Sequence, residues 1–285
     1  MKKIALLGAN GFIGKNLVKH LTGYNVIAGT RADADLVDLE SLVIFFEKHK
    51  PDIVINLAAY KKRGKSLSNF REAIESNVLG TLNIIEAAKA CGSVKHMVFL
   101  GSAEEYGSGQ APFTEDQKEL PISAYSASKT SSKIILETLF RLEKLPFTYL
   151  RPSLVYGPEQ GDEMFISSLI KSLKNKVKFP MTLGEQIRDF IHVDDLSMAI
   201  LKVIESGEKT FGKVYNVGGG EQKTIKEIAL LIGNKLNCVE LLEIGSMPYR
   251  DAEIFDYRCS IEKIEQELGW KPKITIEKGL EDLIN

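Results

Sequence analysis

The sequence predicts an α/β fold: a doubly wound parallel sheet with a smaller lobe towards the C-terminus. Three observations carry this expectation. Short apolar runs alternate with amphipathic helical stretches as far as Pro152. The first apolar run passes straight into a glycine turn that opens a helix. Beyond Pro152 the alternation loosens. The expected division is a first domain at residues 1–152 and a smaller lobe at residues 153–285, lying over the strand ends where such sheets bind substrates.

Lys3-Ile4-Ala5-Leu6-Leu7 reads as a buried parallel strand, and the helix after it carries Leu17, Val18 and Leu21. Val26 to Gly29 is a second strand. Glu40 to Lys48 is an amphipathic helix stopped before Pro51. Ile53 to Leu57 is a third strand. Ser68 to Ala90 is one long helix with Ala73, Ile74, Val78, Leu82, Ile85 and Ala88 on one side. Met97 to Leu100 is a strand, Ala124 to Leu142 a helix, and Phe147 to Leu150 a strand again. Strand-like stretches at 189–193 and 214–217 are expected to return to the sheet. Helices near Thr224–Leu236 and Ser260–Leu268 are expected in the smaller lobe.

Composition narrows the function. The net charge of −1 and the lack of a basic run disfavour nucleic acid as a partner. Lys61-Lys62-Arg63 with Lys65 is the one basic cluster, and a solvated loop accounts for it. Lys2-Lys3 before an apolar run imitates an export signal, but Gly8, Asn10 and Gly11 cut the run short. No apolar stretch is long enough for a membrane span. Cys91, Cys238 and Cys259 are scattered, and His20, His49, His96 and His192 share no ligand spacing. A reduced, cytoplasmic protein without a metal site is expected.

Strand, glycine turn, helix is the arrangement that holds a pyrophosphate. In Gly8-Ala9-Asn10-Gly11-Phe12-Ile13-Gly14, Gly8 permits the tight turn and Gly14 lets the helix pack on the strand. Gly11 admits phosphates to the backbone N–H groups of the helix N-terminus, and Phe12 and Ile13 are counted with the glycines as cofactor-binding positions. The spacing is G-x-x-G-x-x-G, not G-x-G-x-x-G, and a plain capping turn can look the same. An acid closing the second strand would accept the adenosine ribose and repel a 2′-phosphate. The chain instead reads Gly29-Thr30-Arg31. Thr30 offers a hydroxyl, and Arg31 a planar cation for a 2′-phosphate or an adenine face. NADP is therefore the expected cofactor. NAD is the alternative if Asp33 or Asp35 curls back to the ribose and Arg31 is only solvated.

Tyr125-Ser126-Ala127-Ser128-Lys129 places a phenol and an ammonium one helical turn apart. A phenol with its usual pKa of about 10 is a poor base at neutral pH, and a neighbouring cation lowers that value. The spacing alone is common on helix surfaces. Gly101-Ser102-Ala103-Glu104-Glu105-Tyr106-Gly107 strengthens it, because it puts a hydroxyl after a strand end.

With these residues in view, the chain resembles the extended short-chain dehydrogenases/reductases. The branch is the NAD-dependent epimerase/dehydratase family, which modifies nucleotide-activated sugars on a Rossmann sheet. The matching motifs are the three glycines, Asp38-Leu39, Asn56-Leu57-Ala58-Ala59 and Asn77-Val78-Leu79-Gly80-Thr81. Ser102 before Tyr106-Gly107, Tyr125-x-x-x-Lys129, Leu150-Arg151-Pro152 and Arg188 to Asp195 continue the match. The resemblance implies that Tyr125 is the acid/base at the sugar oxygen, with Ser102 sharing the hydrogen bond. It implies that Lys129 binds the nicotinamide ribose. Asp38 and Leu39 would lie along adenine, Leu57, Ala58 and Ala59 along pyrophosphate and ribose, and Lys61 would reach the cofactor. Asn77 would tie the long helix to the sheet. Asp38 as a helix cap and Asn77 as a satisfied buried amide are the plainer alternatives. Arg250 and Arg188 would meet the substrate diphosphate, and His192 reads as structural. Relatives pair two helices into a four-helix bundle, so a homodimer through Ser68–Ala90 and Ala124–Leu142 is implied.

Two departures bear on the reaction. Ser153-Leu154 replaces an asparagine that many relatives carry after Arg-Pro. The 4,6-dehydratases often read Thr-Asp-Glu where this chain reads Ser102-Ala103-Glu104, so the proton-donating aspartate is missing and Glu104 remains. The expected function is NADPH-dependent reduction of a nucleotide-activated 4-keto-6-deoxysugar. The alternatives are an epimerase or 4,6-dehydratase that retains NAD, and a non-catalytic dinucleotide-binding sensor or assembly factor.

Overall fold

The computed structural model describes residues 1–62, 64–250 and 253–284. Arg63 of the basic cluster and Asp251 beside Arg250 lie outside the described residues. Strand β1 (Lys3–Leu7) leads through the glycine turn to α1 (Phe12–His20), then β2 (Asn25–Gly29), α2 (Leu39–His49) and β3 (Ile53–Asn56). Next come α3 (Leu67–Ala73), a π turn (Ile74–Leu79) and α4 (Gly80–Cys91), forming one helical stretch where the sequence predicts one helix. β4 (His96–Leu100), a 3₁₀ turn (Ala103–Tyr106), α5 (Ala124–Glu143) and β5 (Phe147–Pro152) complete the first domain's run.

The remainder holds β6 (Leu154–Tyr156), α6 (Phe165–Lys174), β7 (Phe179–Met181), β8 (Ile187–Arg188), β9 (Phe190–His192) and α7 (Val193–Ser206). It closes with β10 (Lys213–Val217), β11 (Lys223–Thr224), α8 (Ile225–Lys235), β12 (Leu242–Ile244), β13 (Asp256–Tyr257), α9 (Glu262–Leu268) and α10 (Ile276–Ile284). No helix among the described residues is long and apolar enough to cross a membrane.

Six strands form one parallel sheet in the order β10-β5-β4-β3-β1-β2. The order reverses between β1 and β3, which opens a crevice at their C-terminal ends. Each face is covered. Leu17, Leu196, Ile200, Val203 and Trp270 bury one side, while Leu42, Phe46, Ile84, Ala88 and Leu136 bury the other. A further core gathers Ile166, Leu169, Leu173, Ile228, Ile232 and Leu280 from α6, α8 and α10.

Two expectations need correction. Residues 214–217 do join the sheet, but 190–192 pair with β6 as a separate two-stranded ribbon. The cause lies at Ser153, whose N–H bonds Val217 while the next N–H, that of Leu154, turns to Asp189. The chain leaves the sheet at that residue and takes a new partner. Helix α9 does not sit in the smaller lobe: Ile264, Leu268 and Trp270 pack into the core beneath the sheet beside α7.

Candidate active site

The glycine turn is built as a cradle that side chains would fill. Gly8 has φ +83°, and a Cβ there would lie 2.8 Å from the Ala58 backbone nitrogen. A Cβ on Gly14 would lie 2.4 Å from the Gly8 carbonyl oxygen. β1 and β3 therefore approach at the crevice only because Gly8 is bare, and α1 sits on the turn only because Gly14 is bare. The Gly11 N–H bonds the Gly8 carbonyl at 3.0 Å, and no side chain caps α1 at Gly11. Phe12 and Ile13 open the helix, so its positive end faces the crevice. A dinucleotide pyrophosphate fits this cradle.

Thr30 and Arg31 follow β2. The Thr30 hydroxyl donates to Asp33, and Arg31 Nε donates to Asp35 at 3.2 Å with its side chain 87% exposed. Two carboxylates therefore stand at this strand end, one of them already paired with the arginine. Asp38 is the N-cap of α2 and accepts the Ser41 N–H, with Leu39 starting the helix.

Ser102 lies just past β4 and starts the 3₁₀ turn. Its Oγ accepts the Glu104 N–H at 3.1 Å, which leaves its own O–H for a substrate oxygen. Glu104 is buried and accepts the hydroxyl of Ser123, the N-cap residue of α5. Tyr125 is the second residue of α5. Lys129 follows one turn later, with Nζ 6.0 Å from the Tyr125 ring centre and donating to the Leu100 carbonyl at 2.7 Å. Leu100 ends β4, so one hydrogen bond joins the helix of Tyr125 and Lys129 to the strand that delivers Ser102. Burial lowers the Lys129 pKa to about 8; Glu105 opposes the fall and Lys61 adds to it.

Asn77 sits in the π turn, where the backbone ladder widens to i→i+5 bonds. Its side chain accepts the Tyr60 N–H at 2.8 Å and donates to the Tyr60 carbonyl at 3.1 Å and to Ser128 Oγ at 2.8 Å. Its carbonyl takes the hydroxyls of Thr81 and Ser132. The loop carrying Leu57, Ala58, Ala59 and Lys61 is thereby pinned against α5. Asn77 is a buried, satisfied amide, and its side-chain bonds run to that loop and to α5 rather than to the sheet.

A family model described as the NAD dependent epimerase/dehydratase family matches residues 4–218. The chain belongs to that family. The dTDP-glucose 4,6-dehydratase 1 of Escherichia coli is 30% identical, with 98% of this chain and 90% of that protein covered. The crystal structure of a Thermotoga maritima UDP-glucose 4-epimerase with UDP-glucose matches with a TM-score of 0.90 and 26% identity, over 99% of this chain and 97% of that one. The structure of RMD from Pseudomonas aeruginosa complexed with NADPH matches at 0.89 and 26%, over 100% and 98%.

In this epimerase/dehydratase family member, Arg188 is occupied. It donates to the Ile254 carbonyl at 2.7 Å and pairs with Glu253 at 2.5 Å, under the ring of Tyr257. Asp189, next in sequence, accepts the Gly219 N–H. Arg250 is exposed, and its carbonyl accepts the Glu253 N–H. His192 is structural as expected: it caps α7 through the Asp194 N–H. Sequence reasoning passed over Glu105 and Arg151, a fully buried ion pair at 3.0 Å directly beneath Ser102. A signal was present, since an arginine within the apolar strand Tyr149-Leu150-Arg151 demands a buried counter-charge.

Proposed function

We propose that this chain is a nucleotide-sugar oxidoreductase that retains NAD and returns the hydride to the same sugar. The observation that carries the chemistry is Tyr125 and buried Lys129 on one face of α5, bonded to the strand end that presents Ser102. With the pyrophosphate held in the glycine cradle, the dinucleotide would accept and return a hydride at its nicotinamide. Tyr125 takes the proton from the sugar hydroxyl and later gives it back. The Lys129 ammonium favours the phenolate and holds the nicotinamide ribose. The Ser102 O–H donates to the same sugar oxygen as charge develops on it. Arg250 is the arginine assigned to the substrate diphosphate, because Arg188 already has its partners.

The cofactor assignment departs from the NADP expected of Arg31. Asp33 and Asp35 bring two carboxylates to the end of β2, and Asp35 accepts from the Nε edge of the Arg31 guanidinium. That surrounding repels a 2′-phosphate. NADPH-dependent ketone reduction becomes the weaker reading; relatives named as a dehydratase and an epimerase support the stronger one, while one similar structure holds NADPH. Ala103 is wholly buried and carries no proton, which favours epimerisation over loss of water. Glu104, bonded to Ser123 beside Ser102, favours 4,6-dehydration as the second reading.

The test is to release the nucleotide retained after purification and then to incubate the protein with UDP- and dTDP-hexoses. Co-purified NAD and an epimerised sugar are expected. A 4-keto-6-deoxy product would select dehydration. Empty protein that oxidises NADPH with 4-ketosugars would restore the reductase.

A further inference from the structure

Glu105 is fully buried on the 3₁₀ turn, and none of the chemistry above uses it. Its Oε1 accepts the Ser102 N–H at 2.9 Å and the Tyr149 hydroxyl at 2.9 Å. That hydroxyl also lies 3.0 Å from the Lys129 carbonyl oxygen. Its Oε2 takes Arg151 Nε at 3.0 Å. Arg151 reaches on to Tyr106 at 3.0 Å and to Glu119, which holds Lys133 at 2.6 Å. The backbone makes room for the carboxylate, since a Cβ on Gly101 would lie 2.4 Å from Oε1.

A buried ion pair is a weak source of stability, and apolar residues of similar volume hold a fold as well or better. The pair here lies where one carboxylate bonds both the backbone of Ser102 and the Tyr149 hydroxyl, whose oxygen lies against the helix of Lys129. On the reading of Tyr125 and Lys129 given above, we propose that Glu105 is a positioning residue for the Ser102–Tyr125–Lys129 set. One carboxylate fixes the Ser102 turn and, through Tyr149, the helix turn of Lys129. It also supplies the negative charge that faces the Lys129 ammonium.

The groups around that ammonium come from four elements. Glu105 acts on it from the 3₁₀ turn, Lys61 from the loop after β3, Tyr125 from its own helix, and the Leu100 carbonyl bonds it from β4, while Tyr149 of β5 meets the helix at the Lys129 carbonyl. Burial and Lys61 both favour a neutral amine. Glu105 opposes them, and a neutral Lys129 would no longer support a phenolate at Tyr125.

The experiment is a pH titration of lysine side-chain NMR resonances in the apoprotein, with Lys129 assigned through Lys129→Arg. Glu105→Gln removes the charge and keeps the acceptor. Should that variant not fold, Glu105→Gln with Arg151→Met removes both charges of the pair. In either, the Lys129 midpoint should fall by on the order of one pH unit from its wild-type position. Glu119→Gln perturbs the same network further from the site and should leave the midpoint in place. A Lys129 midpoint unmoved by loss of Glu105, or moved equally by Glu119→Gln, overturns the assignment. A moved midpoint together with full turnover in Tyr125→Phe sustains Glu105 as the counter-charge and overturns the proposed function instead.

Discussion

Replacing Lys129 with methionine should make the protein more stable and inactive. The ammonium is buried, and burial holds its pKa down at about 8, below the ordinary lysine value of 10.5. That displacement corresponds to roughly 3 kcal/mol against the charged form in the folded state. Methionine has a similar volume and no charge to desolvate. The variant loses the hydrogen bond to the Leu100 carbonyl, worth about 1 kcal/mol. The net gain is about 2 kcal/mol, or roughly 4 °C in Tm for a domain of this size. The pH dependence follows from a folded pKa below the unfolded one. The wild-type penalty is complete below pH 8 and fades as the pH climbs from about 8 towards 10.5. Chemical denaturation of both proteins at pH 7 and again near pH 10 measures it. A variant less stable than wild type at pH 7, or an advantage that grows with pH, would refute the reasoning.

Four further outcomes are expected. Tyr125→Phe should lower turnover by about two or more orders of magnitude while leaving dinucleotide affinity near wild type by calorimetry. Gly14→Val should abolish dinucleotide binding and cost roughly 1–3 kcal/mol by denaturant titration, because its Cβ falls 2.4 Å from the Gly8 carbonyl oxygen. Replacing Asp33 and Asp35 by serine should raise affinity for NADP relative to NAD, whereas Arg31→Ala should leave NAD binding unchanged; equal effects on both dinucleotides would remove the carboxylates from cofactor choice. Ile74, Leu79, Leu82 and Ile134 leave an apolar strip exposed where α3, the π turn, α4 and α5 adjoin, and light scattering should show a dimer that Ile134→Asp converts to monomer.

The alternation of strand and helix as far as Pro152 was legible because its signals are local. A glycine turn between an apolar strand and a helix, or a phenol and an amine four residues apart, needs no knowledge of what lies across the molecule. Arg151 in an apolar strand signals a buried counter-charge, but that Glu105 supplies it was not legible, because the two are 46 residues apart and meet only when β5 is laid beside β4. The same applies past Pro152. An apolar stretch such as Ile261 to Trp270 shows that a helix buries one side, but nothing local says which core receives it. Residues 190–192 have strand character, and their partner was decided by the departure of the chain at Ser153. The charges at the end of β2 were read residue by residue. Their pairing, which alters the cofactor expected, appears only in three dimensions.

The π turn at Ile74–Leu79 also restricts how the gene for this chain can change length. It holds one residue more than an α-helical path over the same span. Surface loops absorb such additions or losses by bending. A deletion of one codon here would restore a regular helix and rotate everything before it by about 100° relative to α4. Leu67–Ala73 would swing off α5, and the Asn77 carbonyl would be drawn back into the helix ladder and away from Ser132. The spacing from Ser66, which caps α3, to Thr81 should therefore hold constant in working variants, and a library of single-residue deletions across 60–92 should show its sharpest loss of soluble protein between Ala73 and Gly80.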